Sequence, residues 1–444
     1  MYTLVPRQRW LGVEQIRSAS DNPIIFERVD LQQDLTPEVL KAELPTLEGG
    51  VQRQSKSTVF YYSAKKPLAA VRSFHERPAY VMKNMSAAQL LHNLKASASA
   101  AAWDEALVAP DRCSRREWWY YSAPNSTEAM AVARRHVDIA LLERAVTSIG
   151  AGDDAATEVH SINLWVGGAG VVAASHYDAS INLFVQLHGR KRFLLTAPEA
   201  EASVAPYSFL HPHFRRAQQP PQSVGEHWLS VADLGPGDML FLPPFVFHQV
   251  TATSEVSISV NAWATSPAVG RVQRLQQQGA AALGLVETNT TSGHRGAFSG
   301  AWSLQSRAAL LERASEQLVG RVLGLSQVGS RAWISERMAS RWASVVRRYP
   351  KPMRKLAKFC APDMQERRLR LLEGLPGEER EWIDAMLERS VAAAASDLRA
   401  LPRAGAVALE LGNLLEQVAL EVLQGDPKTC GSFLVNCFSR ASDS

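Results

Sequence analysis

The stretch Val171–Arg192, VVAASHYDASINLFVQLHGRKR, decides how this chain is read. Val171 to Ala174 are small and apolar. From Ile181 to Leu187 the residues alternate, with Ile181, Leu183, Val185 and Leu187 on one face and Asn182, Phe184 and Gln186 on the other. That period predicts strand. Residues two apart in a strand project to the same side, so His176 and Asp178 present an imidazole and a carboxylate together from a stiff backbone. Further on, Gly235-Pro236-Gly237-Asp238 predicts a turn, followed by MLFLPPFVFHQV, read as an apolar strand with His248 near its end. Two imidazoles and one carboxylate form a ligand set that holds non-haem Fe(II) and leaves coordination positions open.

The chain supplies a control. His136-Val137-Asp138 repeats the His-x-Asp spacing inside STEAMAVARRHVDIALLERAV, where Val132, Ile139, Leu142 and Val146 fall at helical spacing. On one helix from Ser126 to Ile149, residues two apart do not share a face. This pair is expected to make surface and cap contacts rather than bind a metal.

The runs HYDASINLFVQLHGRKR, YSFLHPHF, GPGDMLFLPPFVFHQV and ISVNAW, in that order, resemble the Jumonji-C hydroxylases and the wider cupin-like hydroxylases. The resemblance is greatest to the asparaginyl-hydroxylase branch typified by factor inhibiting hypoxia-inducible factor. Upstream, NPIIFERVDLQQDLTPEVLKAEL, STVFYYSAKKPL and EWWYYSAPNS resemble further landmarks, so the likeness runs from about Ser20 to Thr265. It implies a mainly β fold with helices: a double-stranded β-helix (cupin jelly roll) at residues 20–266, after a lead-in at 1–19 and before a helical C-terminal domain at 267–444.

The resemblance also implies chemistry. Fe(II) would sit on His176, Asp178 and His248, with 2-oxoglutarate and O2 as co-substrates. Lys191, beyond the His188-Gly189-Arg190 turn, and Tyr120 would meet the far carboxylate of 2-oxoglutarate; Tyr121 stays open, because a one-residue slip changes the face presented. Asn182 would contact the metal-binding carboxylate, and Asn261 is a second Asn inside an apolar strand. Either Asn could equally satisfy backbone groups in the barrel wall. Trp263, on the face of Asn261, would wall the pocket. Ala173 stands where the asparaginyl-hydroxylase pattern has Thr, which leaves one hydrogen bond missing or supplied by Ser161 or Ser175. His211-Pro212-His213 is read as pocket rim, not as a metal site. The activity implied is hydroxylation of a side chain of a protein substrate. Hydroxylation of a tRNA base, N-methyl-lysine demethylation and a non-catalytic cupin scaffold stay open.

Composition sets the outer bounds. The 444 residues allow two domains, and a net charge of +4 does not by itself argue for nucleic acid. No apolar run is long enough to span a bilayer. Cys113, Cys360, Cys430 and Cys437 show neither CxxC nor zinc spacing and suit a reducing compartment and a non-structural role. The N-terminus lacks an apolar core of the secretory kind, so a cytoplasmic or nuclear location is expected, with a mitochondrial presequence left open. Helical spacing recurs at Leu310–Leu323, Ala332–Val346, Met364–Leu372, Glu381–Leu398 and Val407–Leu423. The cations from Arg347 to Arg370 are read as a solvated face, with an acidic or RNA partner as the alternative. Val407–Leu423 is more apolar than a solvated helix, which suggests a homodimer through the C-terminal helices.

Overall fold

A computed structural model of the chain describes residues 3–17, 22–30, 35–56, 58–59, 74, 80–98, 117–149, 158–225, 228–286, 302–354, 356 and 358–438. The small polar stretch from Lys95 to Glu117 and the joint from Thr288 to Gly300 lie largely outside these residues. The chain divides into two compact units. The first is Met1–Tyr62, Arg77–Val204 and Gln219–Val269; the second is Ser63–Glu76, Ala205–Gln218 and Gly270–Ser444.

The described strands all belong to the first unit: β1 (Thr3–Leu4), β2 (Arg7–Arg9), β3 (Ile24–Glu27), β4 (Val51–Gln54), β5 (Thr58–Val59), β6 (Tyr80–Lys83), β7 (Trp118–Pro124), β8 (Glu158–Gly167), β9 (Val172–Tyr177), β10 (Ile181–His188), β11 (Lys191–Thr196), β12 (Leu229–Leu234), β13 (Met239–Leu242), β14 (Phe247–Ala252) and β15 (Ser257–Thr265). They form a six-stranded sheet in the order β1-β12-β11-β14-β9-β5 and a nine-stranded sheet in the order β2-β3-β13-β10-β15-β8-β7-β4-β6. The expected β unit and helical C-terminal region are present. The expected closed jelly roll is not seen among the described residues: each sheet keeps two edges, because short strands such as β1, β2, β5 and β6 extend the sheets rather than pairing them to each other.

Alternation along β10 explains how the sheets are used. Ile181, Leu183, Val185 and Leu187 join a large apolar cluster with Leu90 and Leu94 of helix Ala87–Ser97 and with Leu142 and Val146 of helix Ile139–Thr147. Phe184 points the other way and meets Phe193 of β11 edge-on, at 5.0 Å between ring centroids. These two rings belong to a second cluster drawn from both sheets. The inward face of β10 and β15 therefore looks into the space between the sheets, and its polar residues are enclosed. Helices on the outer face start where their caps say they should. Thr36 accepts from Val39 N at 3.3 Å, and Ser86 forms a capping box with Gln89.

Two local expectations need correction. The His136–Asp138 segment is not one helix: Glu128–His136 ends, Val137 is extended, and Asp138 caps a new helix, Ile139–Thr147, by accepting from Leu141 N at 2.9 Å. His136 instead meets Glu43 at 2.6 Å. Cap and surface contacts are what the pair makes, with the helix break as the reason. Likewise MLFLPPFVFHQV is not one strand. Pro243 and Pro244 interrupt it, Phe245 takes φ +68°, and β13 and β14 lie in different sheets. His248 reaches its position through this crossing.

The second unit is helical: Leu304–Leu323, Gln327–Arg341, Ala343–Arg348, Pro350–Arg354, Pro362–Glu373, Gly377–Arg399, Ala404–Leu423 and Pro427–Asn436. The helix expected over Ala332–Val346 splits at Trp342, which is fully buried and donates its indole N–H to Glu416 at 2.9 Å. Helix Ala404–Leu423 is buried on nearly all sides within the single chain, so its apolar excess is accounted for without a second copy. Among the described residues no helix is long and apolar enough to cross a membrane.

Cysteine usage is also corrected. Cys360 and Cys437 are joined in a disulfide across 77 residues, while Cys430 is buried and free. A structural disulfide removes the argument for a reducing compartment that rested on the cysteines. Reduction, or Cys360→Ser, is expected to destabilise the chain by about 2–4 kcal/mol through the freed loop in the unfolded state. Thermal melts with and without reductant measure this; an equal melting temperature in both, with the bond shown intact beforehand by mass spectrometry, removes the stabilising role.

Candidate metal centre

His176 on β9 and His248 on β14 are direct partners in an antiparallel ladder. Partners of this kind leave the sheet on the same side. Their rings lie 4.2 Å apart between centroids. Asp178 follows just beyond the end of β9, and its backbone carbonyl accepts from Phe245 N at 2.7 Å, which ties the segment after β9 to the one before β14. One ligand atom from each of His176, Asp178 and His248 lies within 4.8 Å of the other two.

The histidine tautomers are set by the backbone. His176 Nδ1 lies 2.7 Å from Ala174 O, and His248 Nδ1 lies 3.0 Å from Val246 O. A carbonyl only accepts, so each Nδ1 carries the hydrogen and each Nε2 presents a lone pair. His248 Nε2 is 3.8 Å from Asp178 Oδ2, beyond hydrogen-bond distance. Two ligands each held about 2.1 Å from one ion lie roughly 3–4 Å apart, so this spacing fits a shared cation. Trp263 Nε1 donates to Asp178 Oδ2 at 3.1 Å and orients the carboxylate. The donor set is two imidazole nitrogens and one carboxylate oxygen within reach of one ion, which fits a divalent metal with open positions.

A polar network lines the same inter-sheet face. Asn261 Nδ2 donates to Asn182 Oδ1 at 2.9 Å, and Trp165 Nε1 donates to Asn261 Oδ1 at 2.7 Å. Both Asn are buried. Trp165 carries the network onward: it stacks on Tyr120 at 5.9 Å and meets Trp263 edge-on at 5.9 Å. By sequence His160, Asn163 and Trp165 could line a pocket, but they do not all fall on one face, so no ligand role attaches to them there. Trp165 lies two residues from Asn163, on the same strand face, and the ladder places it opposite Ser259 of β15. His160 is exposed and bonds Ser180 Oγ at 2.9 Å.

Lys191 separates from its cationic neighbours by alternation. Arg192 points outward to Asp233, at 2.7 Å from Nε. Lys191 points inward, 4 % exposed, and donates to Ser259 Oγ at 2.6 Å with its ammonium 4.9 Å from the centre of the Phe184 ring. No carboxylate of the described residues pairs with it. Burial alone pulls its pKa down to about 7. Along β11 it lies four residues from Leu195, the ladder partner of His248.

Tyr120 and Tyr121 part in the same way. Tyr120 shares a cluster with Trp118, Val171 and Val172, beside Trp165. Tyr121 joins the helix-covered cluster, where burial and the nearby Glu48 and Glu128 raise its pKa to about 12. Close approach matters here: a Cβ on Gly167 would lie 3.0 Å from the Tyr120 ring. Of the two hydroxyls considered beside Ala173, Ser161 is engaged by Asn163 at 2.8 Å, and Ser175 Oγ is buried without a partner. His211 and His213 lie in the second unit. His211 stacks on Tyr207 at 4.6 Å and accepts from His213 N at 3.0 Å. Among the described residues the His176–Asp178–His248 set is the group able to hold a metal.

Residues 53–267 match a family model described as a cupin-like domain. Over 118 residues, 24 % of this chain and 21 % of the relative, the sequence is 32 % identical to lysine-specific demethylase JMJ31 of Arabidopsis thaliana. It is 36 % identical over 109 residues to Jumonji C domain-containing protein 5 of Drosophila melanogaster, covering 23 % of this chain and 27 % of the relative. It is 31 % identical over 111 residues to tRNA wybutosine-synthesizing protein 4 of Neurospora crassa, covering 22 % and 8 %. The chain thus spans only a small part of the curated relatives it matches. Their names differ in activity and do not single out the asparaginyl-hydroxylase branch.

Asp178→Ala removes the one anionic ligand and is expected to abolish binding of Mn(II), a redox-stable stand-in for Fe(II), while the chain stays folded. Trp263→Phe is expected to weaken Mn(II) about 10–100-fold by freeing the carboxylate. Calorimetric titration with circular dichroism as a folding control decides both; wild-type affinity in Asp178→Ala removes the triad.

Proposed function

We propose that this chain, with its cupin-like domain, is an Fe(II)- and 2-oxoglutarate-dependent hydroxylase of the Jumonji-C kind acting on a side chain of a protein. The observation that carries the reading is the joint presence, on one enclosed face, of a tautomer-fixed His-Asp-His set and a buried lysine without a carboxylate partner. When bound, Fe(II) with 2-oxoglutarate supplies oxygen-activating chemistry that places one oxygen atom in a C–H bond as the keto acid becomes succinate and CO2.

The protein's own tasks are to bind, orient and exclude water. His176 and His248 offer Nε2, and Asp178 lowers the net charge of the site. Lys191 gives the far carboxylate of 2-oxoglutarate a buried cation, where a charge-assisted hydrogen bond is strongest. Tyr120, which stacks on Trp165, would add a phenol to the same end. The Asn182–Asn261 pair offers amides to the metal-binding end. Trp165, Trp263 and Phe184 enclose the face and keep it dry. A scaffold without catalysis would leave a buried lysine that has no carboxylate partner among the described residues unexplained.

The substrate assignment rests on the motif order that resembles the asparaginyl-hydroxylase branch. The relatives' names add lysine demethylation and tRNA modification as outcomes that the experiment must separate. Succinate formed from 2-oxoglutarate by the purified chain, absent in Asp178→Ala, tests the reaction. Mass spectrometry of proteins and of tRNA exposed to active chain then looks for one added oxygen or one lost methyl group.

Lys191 also predicts a pH dependence. Its ammonium form is the one that attracts a dianion, and it is the minority form above a pKa of about 7. Affinity for 2-oxoglutarate is therefore expected to fall as pH rises past about 7, by up to about tenfold per unit until the raised pKa of the complex is reached. Lys191→Met should bind weakly with no such slope. A flat profile in the wild type means that Lys191 does not meet the ligand.

A further inference from the structure

One polar cluster plays no part in the metal centre. β4 and β7 pair antiparallel with Gln54 opposite Trp118 and Gln52 opposite Tyr120. Side chains directly opposite leave the sheet on the same face, with Cβ atoms about 5 Å apart. Trp118 and Tyr120 pack with Val171 and Val172, whereas the alternate residues Trp119 and Tyr121 join the helix-covered cluster. Gln52 and Gln54 therefore share the inter-sheet face with Trp118 and Tyr120. Gln54 and Trp118 are each 2 % exposed. Yet Gln54 Oε1, Gln54 Nε2, Gln52 Oε1 and Trp118 Nε1 are all buried without a hydrogen-bond partner. Buried polar groups are normally paired. On the same face Asn182, Asn261, Trp165 and Lys191 all are. Gln186 Oε1 on β10 is also without a partner, but three of the four atoms named here meet at the Gln54–Trp118 ladder position and the fourth lies at the next position on the same face, at Gln52.

We propose that Gln52, Gln54 and Trp118 form a binding subsite for a neutral carboxamide group. The indole N–H and the Gln54 amide N–H donate; the Gln54 and Gln52 amide oxygens accept. A primary carboxamide is the complement, since its carbonyl oxygen takes two donors and its NH2 serves two acceptors. A carboxylate would meet the donors and set its charge against two amide oxygens. An ammonium would meet the oxygens and leave both N–H groups bare. An apolar group would satisfy none of the four.

The subsite is linked to the metal centre by contact. Tyr120, the neighbour of Trp118 on this face, stacks on Trp165, which meets Trp263, which donates to Asp178. Two aromatic rings thus stand between Tyr120 and the carboxylate, so the subsite recognises a part of a ligand remote from the metal. It goes beyond the oxygenase reading and does not rest on it.

The test uses the full chain labelled with 15N at its indoles, and acetamide as probe. The Trp118 resonance is assigned by its loss in Trp118→Phe. Acetamide is expected to shift it, and acetate and methylammonium at equal concentration are not. Gln54→Leu is expected to abolish the response and to raise the melting temperature, because an apolar side chain of similar shape replaces an amide with no partner. A Trp118 signal indifferent to acetamide overturns the proposal. So does a lowered melting temperature in Gln54→Leu, which would mark an amide satisfied within the fold by ordered water. Neither readout involves metal or turnover, so failure here and failure of the oxygenase reaction are told apart.

Discussion

The pairing of His176 with His248 across β9 and β14 is the constraint on which the first unit depends. A strand slipped by one residue turns every side chain to the opposite face. A slip here would send one imidazole out of the inter-sheet space and leave Asp178 with a single partner. The register is held from both sides: β14 also pairs with β11, with Leu195 opposite His248, and β11 pairs with β12. Phe193 and Leu195 on β11 are buried in the inter-sheet cluster, so apolar packing fixes the same register that the ligands require.

That arrangement gives the enclosed face an unusual burden of polar groups. Asn182, Gln186, Lys191, Ser259 and Asn261 are all buried there. Each is tolerable only when partnered, and the partners come from adjacent strands: Asn261 to Asn182, Lys191 to Ser259, Gln186 to Ser257 at 3.0 Å. The outer face shows the contrast. Ile258, Val260, Ala262 and Ala264 of β15 are apolar throughout and lie under helices. One strand thus separates adhesion from chemistry by a period of two.

Much of this was legible in the chain. The alternation from Ile181 to Leu187, the His-x-Asp pair, the Gly-Asp turn and the caps at Thr36 and Ser86 are local signals, and local signals survive folding. What was not legible depended on long-range choices. MLFLPPFVFHQV reads as continuous because its apolar run is unbroken in composition, yet the paired prolines carry it between sheets. Whether two sheets close or keep their edges depends on short strands such as β1 and β5, which carry too few residues to show a period. Trp165 could line a pocket by its sequence alone, but its partners, Asn261 and Tyr120, are set by strand pairing. The pairing of Cys360 with Cys437 cannot be read from spacing across 77 residues.

Helix Ala404–Leu423 shows why apolar content alone misleads. Read by composition, it calls for a partner surface. Read residue by residue, it carries Glu410, Asn413 and Glu416 at a spacing of three, all buried. Glu416 accepts from Arg341 at 3.0 Å, from Trp342 Nε1 at 2.9 Å and from Phe209 N at 2.5 Å, and Asn413 accepts from Arg341 as well. A buried ion pair contributes little net stability, yet removing one member costs about 3–5 kcal/mol because the other charge is stranded. These polar residues therefore specify one seat for the helix inside its own unit. An apolar helix without them could settle in many places; with them, any position that does not meet Arg341 leaves a carboxylate buried and unpaired.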